Sequence, residues 1–219
     1  MGTVIALLTL GQACIVVVRL YFGYEGSCGI IPLFQLNPEA NIPTWFQSAN
    51  LLMCSLFAGS IAAGEWRKQS PLRAGWAVTA FFLMAFSLDE TAQLHDGLSH
   101  FSKRFQFQSN LLRYPWVIAG SVFVVFFAAY LLPMVMKLSA VIRRRLALGF
   151  AAYFGSALGL EFVESMIASR IGTHNLIFLL VTSVEEVGEM LSILFLSCAF
   201  LAHLRDTEKE AVIEFGSNP

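Results

Sequence analysis

The sequence predicts an all-α fold: a polytopic membrane protein of six transmembrane helices, with a candidate 3+3 inverted repeat. Three observations carry this expectation. Of 219 residues, 57% are hydrophobic and only 13% are charged, and the mean hydropathy is +0.67. Soluble domains carry about 25% charged residues. Six apolar stretches of about 20 residues can be placed, the length that crosses a hydrocarbon core of about 30 Å. Basic residues, Arg19 apart, lie outside these stretches, whereas Asp and Glu recur within them.

The spans fall at 3–22, 44–65, 74–97, 115–136, 146–168 and 176–203. The first reads as a span rather than a cleavable signal, because no basic region precedes it and its apolar run continues through Val16–Val18. Ile30–Phe34 is too short to cross and reads as interfacial. Residues 1–205 form the transmembrane domain, and 206–219 a polar cytoplasmic tail, expected to be a frayed helix end or disordered.

Loop charge sets the orientation. With the N-terminus inside, the inner side carries Arg67, Lys68, Arg73, Lys137, Arg143, Arg144, Arg145, Arg205 and Lys209. The outer side carries only Arg19, Lys103, Arg104, Arg113 and Arg170. Positive charge collects on the cytoplasmic side, so both termini are expected in the cytoplasm of a plasma membrane, the inner membrane of a bacterium. The run Arg143–Arg145 anchors the fifth span against anionic headgroups. The expected partner is therefore the lipid bilayer, not nucleic acid; a homo-oligomer or a membrane-complex partner stays open. Trp45, Trp66, Trp76, Tyr114 and Trp116 stand at span ends as interfacial anchors, and His100, His174 and His203 read as solvated. Cys14, Cys54 and Cys198 lie within spans as small packing residues; Cys28 is in a loop, and no spacing suggests a disulfide framework.

Segments 74–100, 148–168 and 176–200 contain no Lys or Arg, yet hold Asp89, Glu90, His95, Asp96, Glu161, Glu164, Glu185, Glu186 and Glu189. An ionised carboxylate at the bilayer centre costs about 2.5–3.5 kcal/mol on insertion scales, so such groups face a protein interior or a wet cavity and mark function. A cluster without basic partners must hold protons, bind cations, or both. On an ideal helix Asp89, Gln93 and Asp96 share one line, while Glu90 and His95 point about 140° apart. Those two serve one site only across a shared cavity or through a helix distortion. Glu186 and Glu189, like Glu161 and Glu164, are spaced i, i+3 and can address one ion. At 1.5 Å per residue, Asp89 and Glu161 lie about 22 Å from the inner ends of their spans, and Glu186 about 15 Å from an outer end. Three helices thus offer carboxylates in one layer. Gln47 and Asn50 are supporting polar groups on the second span, whereas Glu65 lies too near the inner end, beside Arg67 and Lys68.

An offset of 96 residues pairs GSIAAGEW (59–66) with GSALGLEF (155–162), and SLDETAQL (87–94) with SVEEVGEM (183–190). As a true repeat, it would relate span 2 to span 5 and span 3 to span 6 in inverted orientation. Biased helix composition can produce the same matches.

The motifs SLDE…LHD, GLE and EEVGEM resemble those of a family of uncharacterised bacterial multi-pass membrane proteins; the resemblance implies no activity. The order Glu65, Glu90-x-x-Gln93, Glu161 and Glu186-x-x-Glu189 also resembles the ferritin-like di-metal carboxylate bundles, which imply metal bound by four helices. In that family both paired motifs end in His, and here neither does. Three functions follow. The first is a site for one or two transition-metal ions, with Fe, Mn or Zn suited to oxygen and imidazole ligands, and metal-assisted hydrolysis or redox chemistry on a membrane substrate. The second is a proton- or cation-coupled transporter using the same acids, and against it no Gly- or Pro-broken helix is visible in spans 3, 5 or 6. The third is a non-catalytic scaffold or complex subunit. Signatures of soluble enzymes (P-loop, GxGxxG, GxSxG, HExxH) are absent.

Overall fold

The computed structural model describes residues 1–23, 30–36, 40–95, 97, 114 and 116–216. These form helices α1 (Gly2–Phe22), α2 (Ile30–Phe34), α3 (Ile42–Arg67), α4 (Arg73–Ala92), α5 (Trp116–Val135), α6 (Ala140–Phe154), a π-helical segment Gly155–Leu160, α7 (Glu161–Ile171) and α8 (Leu176–Gly216). No strand occurs among the described residues. The ends have local causes. Asn41 accepts from Thr44 N at 3.1 Å with Pro43 in the first turn, and Asn175 accepts from Phe178 N at 2.9 Å. Gly23 closes α1 in the left-handed conformation, φ 66°, its N–H on Arg19 O.

Five helical stretches are long and apolar enough to cross a membrane: Gly2–Phe22, Ile42–Arg67, Trp116–Val135, Ala140–Ile171 and Leu176–Thr207. The chain is thus built as a multi-pass membrane protein. The sequence expectation of six is corrected to five by this measure. The expected third span is the one that falls short, because Asp89 and Glu90 occupy the last turn of α4 and interrupt its apolar run. The surface agrees with a lipid environment: Val125, Phe126, Leu7, Leu10 and Val184 are all exposed.

The core joins α3, α4, α5, α6 and α8 through Leu51, Ala58, Trp76, Leu83, Phe127, Leu146, Ile193 and Phe200. Phe82, Phe86, Phe123, Phe127, Phe150 and Phe154 interlock at centroid separations of 4.9–6.5 Å, which gives the many phenylalanines a packing role. Trp76 is a correction. Expected at the interface, it is fully buried, stacked on His203 at 5.2 Å and edge-on to Phe200. His203 is likewise half-buried rather than solvated.

Polar contacts fix the α3–α4 hairpin. Ser48 Oγ donates to Ser87 O at 2.7 Å, Ser87 Oγ donates to Ser48 O at 2.9 Å, and Ser55 Oγ donates to Ala80 O at 2.7 Å. Gln12 of α1, 2% exposed, donates to Ser183 Oγ of α8 at 3.0 Å and accepts from Leu36 N at 3.1 Å. Backbone approaches are closest where glycine removes a side chain. A Cβ on Gly149 would lie 2.8 Å from Leu196 Cγ, which is why α6 and α8 pack so tightly there.

The two halves do not display the candidate repeat. Residues 59–64 are regular α-helix, but the positions 96 later, Gly155–Leu160, are π-helical. The expected tail is also modified, because α8 continues through the polar stretch to Gly216.

Candidate functional site

One cavity of about 310 Å³ gathers nearly every acidic residue singled out by the sequence. Asp89, Glu90, Gln93 and His95 reach it from α4 and the residues just beyond. Glu161 and Glu164 come from α7, and Glu185, Glu186 and Glu189 from α8; Gln47 reaches it from α3. Asp96 lies outside the described residues. Asn50 does not join the cavity; its side chain is committed to its own helix, donating to Phe46 O at 2.7 Å. Glu65 is buried near the far end of α3 and is no part of the lining.

Two helix irregularities build this convergence. Helix α4 stops at Ala92 because Gln93 takes the left-handed conformation, φ 56° and ψ 42°. The chain then folds back so that His95 N donates to Asp89 Oδ1 at 2.8 Å, with His95 Nδ1 3.2 Å from Asp89 Oδ2. The angular conflict between Glu90 and His95 on an ideal helix is thereby removed. The second irregularity is the π segment Gly155–Leu160 inside the long α6–α7 stretch. On a uniform α-helix Tyr153 and Glu161 would point about 80° apart. The wider π turn rotates less per residue, and both side chains line the cavity. Such π turns occur frequently at functional sites. Neither break was visible in the sequence.

The walls contain residues the sequence assigned elsewhere. Trp116, expected as an anchor, donates from Nε1 to Glu161 Oε1 at 2.7 Å and lies with its ring 4.8 Å from that of His95. Tyr114 also lines the cavity, its backbone N donating to Ser165 Oγ at 2.8 Å. Tyr153, 6% exposed, stands among Glu189, Glu90, Asp89 and Glu186, and Ala157 and Thr182 complete the lining. The advance signal for Tyr153 is a hydroxyl within the apolar run that follows Arg145.

Charge is distributed in pairs around the wall. Gln47 Nε2 donates to Glu189 Oε2. Glu164 and Glu185 bring two carboxyl groups together across the α7–α8 interface. Glu189 also feels Glu90, Glu186 and Glu161. Among the described residues no Lys or Arg lines the cavity. Gln47 Oε1 and Glu164 Oε1 are buried and accept from no described protein N–H or hydroxyl group.

The expected metal centre does not take shape. Among the described residues no group of three or more His, Cys, Asp or Glu is placed to hold a metal ion. With Glu65 remote and Gln93 at a helix break, the ferritin-like string is not assembled either. The carboxylates ring a space instead of converging on a point.

The fold and this cavity define a class: a multi-pass helical membrane protein with an acidic chamber inside the bundle. Residues 3–204 match the domain of unknown function DUF8692, and the chain belongs to that family. No curated protein and no solved structure matches the chain.

Proposed function

We propose that the protein is a proton- or cation-coupled transporter of the plasma membrane, with the acidic cavity as its binding site. The observation that carries this reading is the chamber of about 310 Å³, where carboxylates from α4, α7 and α8 meet beside two interruptions of helical geometry. Irregular backbone at membrane depth is tolerated where it lines a cavity, and transport sites are built around such breaks. In this reading both termini are cytoplasmic and the chamber opens toward the outer side.

The chemistry is charge exchange. In this reading, protons held among Glu164, Glu185 and the surrounding acids keep the chamber close to neutral. An arriving cation replaces protons one charge for one, so the bundle never carries several uncompensated anions through a medium of low dielectric. Cation occupancy and proton release are then two sides of one equilibrium.

The test is flux. Purified protein in proteoliposomes should move protons or a cation down an imposed pH gradient, followed with an entrapped pH-sensitive dye. Glu90→Gln and Glu186→Gln should each cut the rate to near that of empty vesicles. Equal rates in wild type and both variants would remove the transport reading.

A further inference from the structure

The lining of the cavity selects its cargo, and we infer that the cargo is an organic ammonium ion carrying several N–H groups, a primary amine or polyamine. This rests on the transport reading for its role but on separate observations for its chemistry.

First, several donors of the wall are already engaged. Trp116 Nε1 donates to Glu161, Gln47 Nε2 donates to Glu189, and Thr182 Oγ1 donates to Phe178 O at 3.0 Å. His95 Nδ1 is taken up with Asp89. Most of the polar atoms that the wall offers a guest are carboxyl and amide oxygens. Gln47 makes the point most directly: the residue is 2% exposed, lines the cavity, and its Oε1 accepts no hydrogen bond. An amide oxygen buried in this way costs free energy until a donor reaches it. A guest with N–H groups satisfies it once a small side-chain shift lets the guest reach this buried oxygen, whereas an aprotic molecule cannot.

Second, the space is too large for a bare ion. About 310 Å³ corresponds to roughly ten water-sized groups, the scale of a short aliphatic amine. No trio of ligands converges on a point among the described residues, so a small inorganic cation finds no ready coordination shell.

Third, part of the wall is aromatic. Trp116, Tyr114 and Tyr153 stand beside the carboxylates. Aromatic faces attract organic cations and also cover methylene groups, whereas a hydrated metal ion uses neither. A quaternary ammonium would gain from the rings but would leave Gln47 Oε1 without a donor.

The test uses full-length protein in detergent and in proteoliposomes, with spermidine, putrescine, tetramethylammonium and Mn²⁺ as probes. Spermidine or putrescine should bind by isothermal titration calorimetry and raise the thermal midpoint. Gln47→Leu, which removes the unpartnered acceptor, should weaken amine binding by roughly tenfold. Because that variant also disturbs Glu189, Tyr153→Leu supplies an independent check and should weaken amine binding while Tyr153→Phe, which keeps the ring, should not. Binding of tetramethylammonium or Mn²⁺ in preference to both amines would overturn the inference. So would proton flux with no amine binding, an outcome that leaves the transport reading in place. Amine binding without any flux would instead support the ligand class and remove the transport role.

Discussion

Asp89 organises more than its charge suggests. One oxygen accepts the backbone N–H of His95 and the other faces the imidazole, so a single carboxylate closes the helix break at Gln93. The backbone contact does not depend on the ring. Asp89→Ala should therefore speed exchange of the His95 amide hydrogen by about tenfold, the effect of losing a bond of roughly 1.5 kcal/mol. His95→Ala should leave the exchange of that position's amide nearly unchanged. Site-resolved hydrogen exchange separates the two, and equal protection in both variants would show that the fold-back does not need Asp89. Trp116 poses a parallel question on the facing helix. Trp116→Phe keeps a ring near His95 and deletes the donor to Glu161. Interhelical hydrogen bonds in membranes contribute about 0.6 kcal/mol on average. Stability in a denaturing-detergent titration should fall by about that amount, while cation binding, which uses the ring face, should survive.

At the scale of elements, the π segment is held against α8 by a close approach. A Cβ on Gly188 would overlap Ser156 Oγ and lie 3.3 Å from Ser156 Cβ. Gly188 is also flanked by the cavity residues Glu185, Glu186 and Glu189. Gly188→Ala should therefore push α8 away from the π turn, costing about 1–3 kcal/mol as overpacking does and impairing the chamber. Adding Ser156→Gly should restore most of the loss. A double variant no better than Gly188→Ala alone, in thermal stability and in flux, would dismiss this contact. Gly75→Ala is the comparison away from the chamber: its methyl would meet Met134 down to Cβ at 3.0 Å, so it should cost stability to a similar degree while leaving the chamber intact. The same segment explains what could be read from the sequence. Acids embedded in apolar stretches announce themselves because their burial is costly, so Glu161, Glu164, Glu185, Glu186 and Glu189 were legible from composition and rise per residue alone. The phase of Tyr153 was not, because a uniform turn of 100° per residue fails across π geometry. Nor was the role of Trp116 and Tyr114, since an aromatic residue at a span end has the same sequence signature whether it meets headgroups or a cavity wall.

For the whole molecule, the open question is the crossing of α4. By length and apolarity five helical stretches qualify as spans and α4 does not. An odd number of crossings would put the termini on opposite sides. The orientation of the proposed function, with both termini on one side, requires that α4 cross as well. Helix α4 runs antiparallel along α3, bonded to it at Ser48 with Ser87 and at Ser55 with Ala80, and a membrane-crossing α3 carries this partner with it. The polar turn of α4 that lowers its hydropathy faces the chamber with Asp89 and Glu90, not lipid. Hydropathy counts those residues as a barrier to insertion, whereas in that arrangement the bundle gives them protein partners. Reporter fusions decide the matter. A cytoplasm-active reporter joined at Met1 and another at Pro219 should both be active. A periplasm-active reporter inserted in the 93–115 connection should also be active, because in this arrangement that connection follows the third crossing, α1, α3 and then α4, of an inside-start bundle. Activity of the two terminal reporters on opposite sides would mean that α4 turns back without crossing, and would overturn the orientation in which both termini are cytoplasmic.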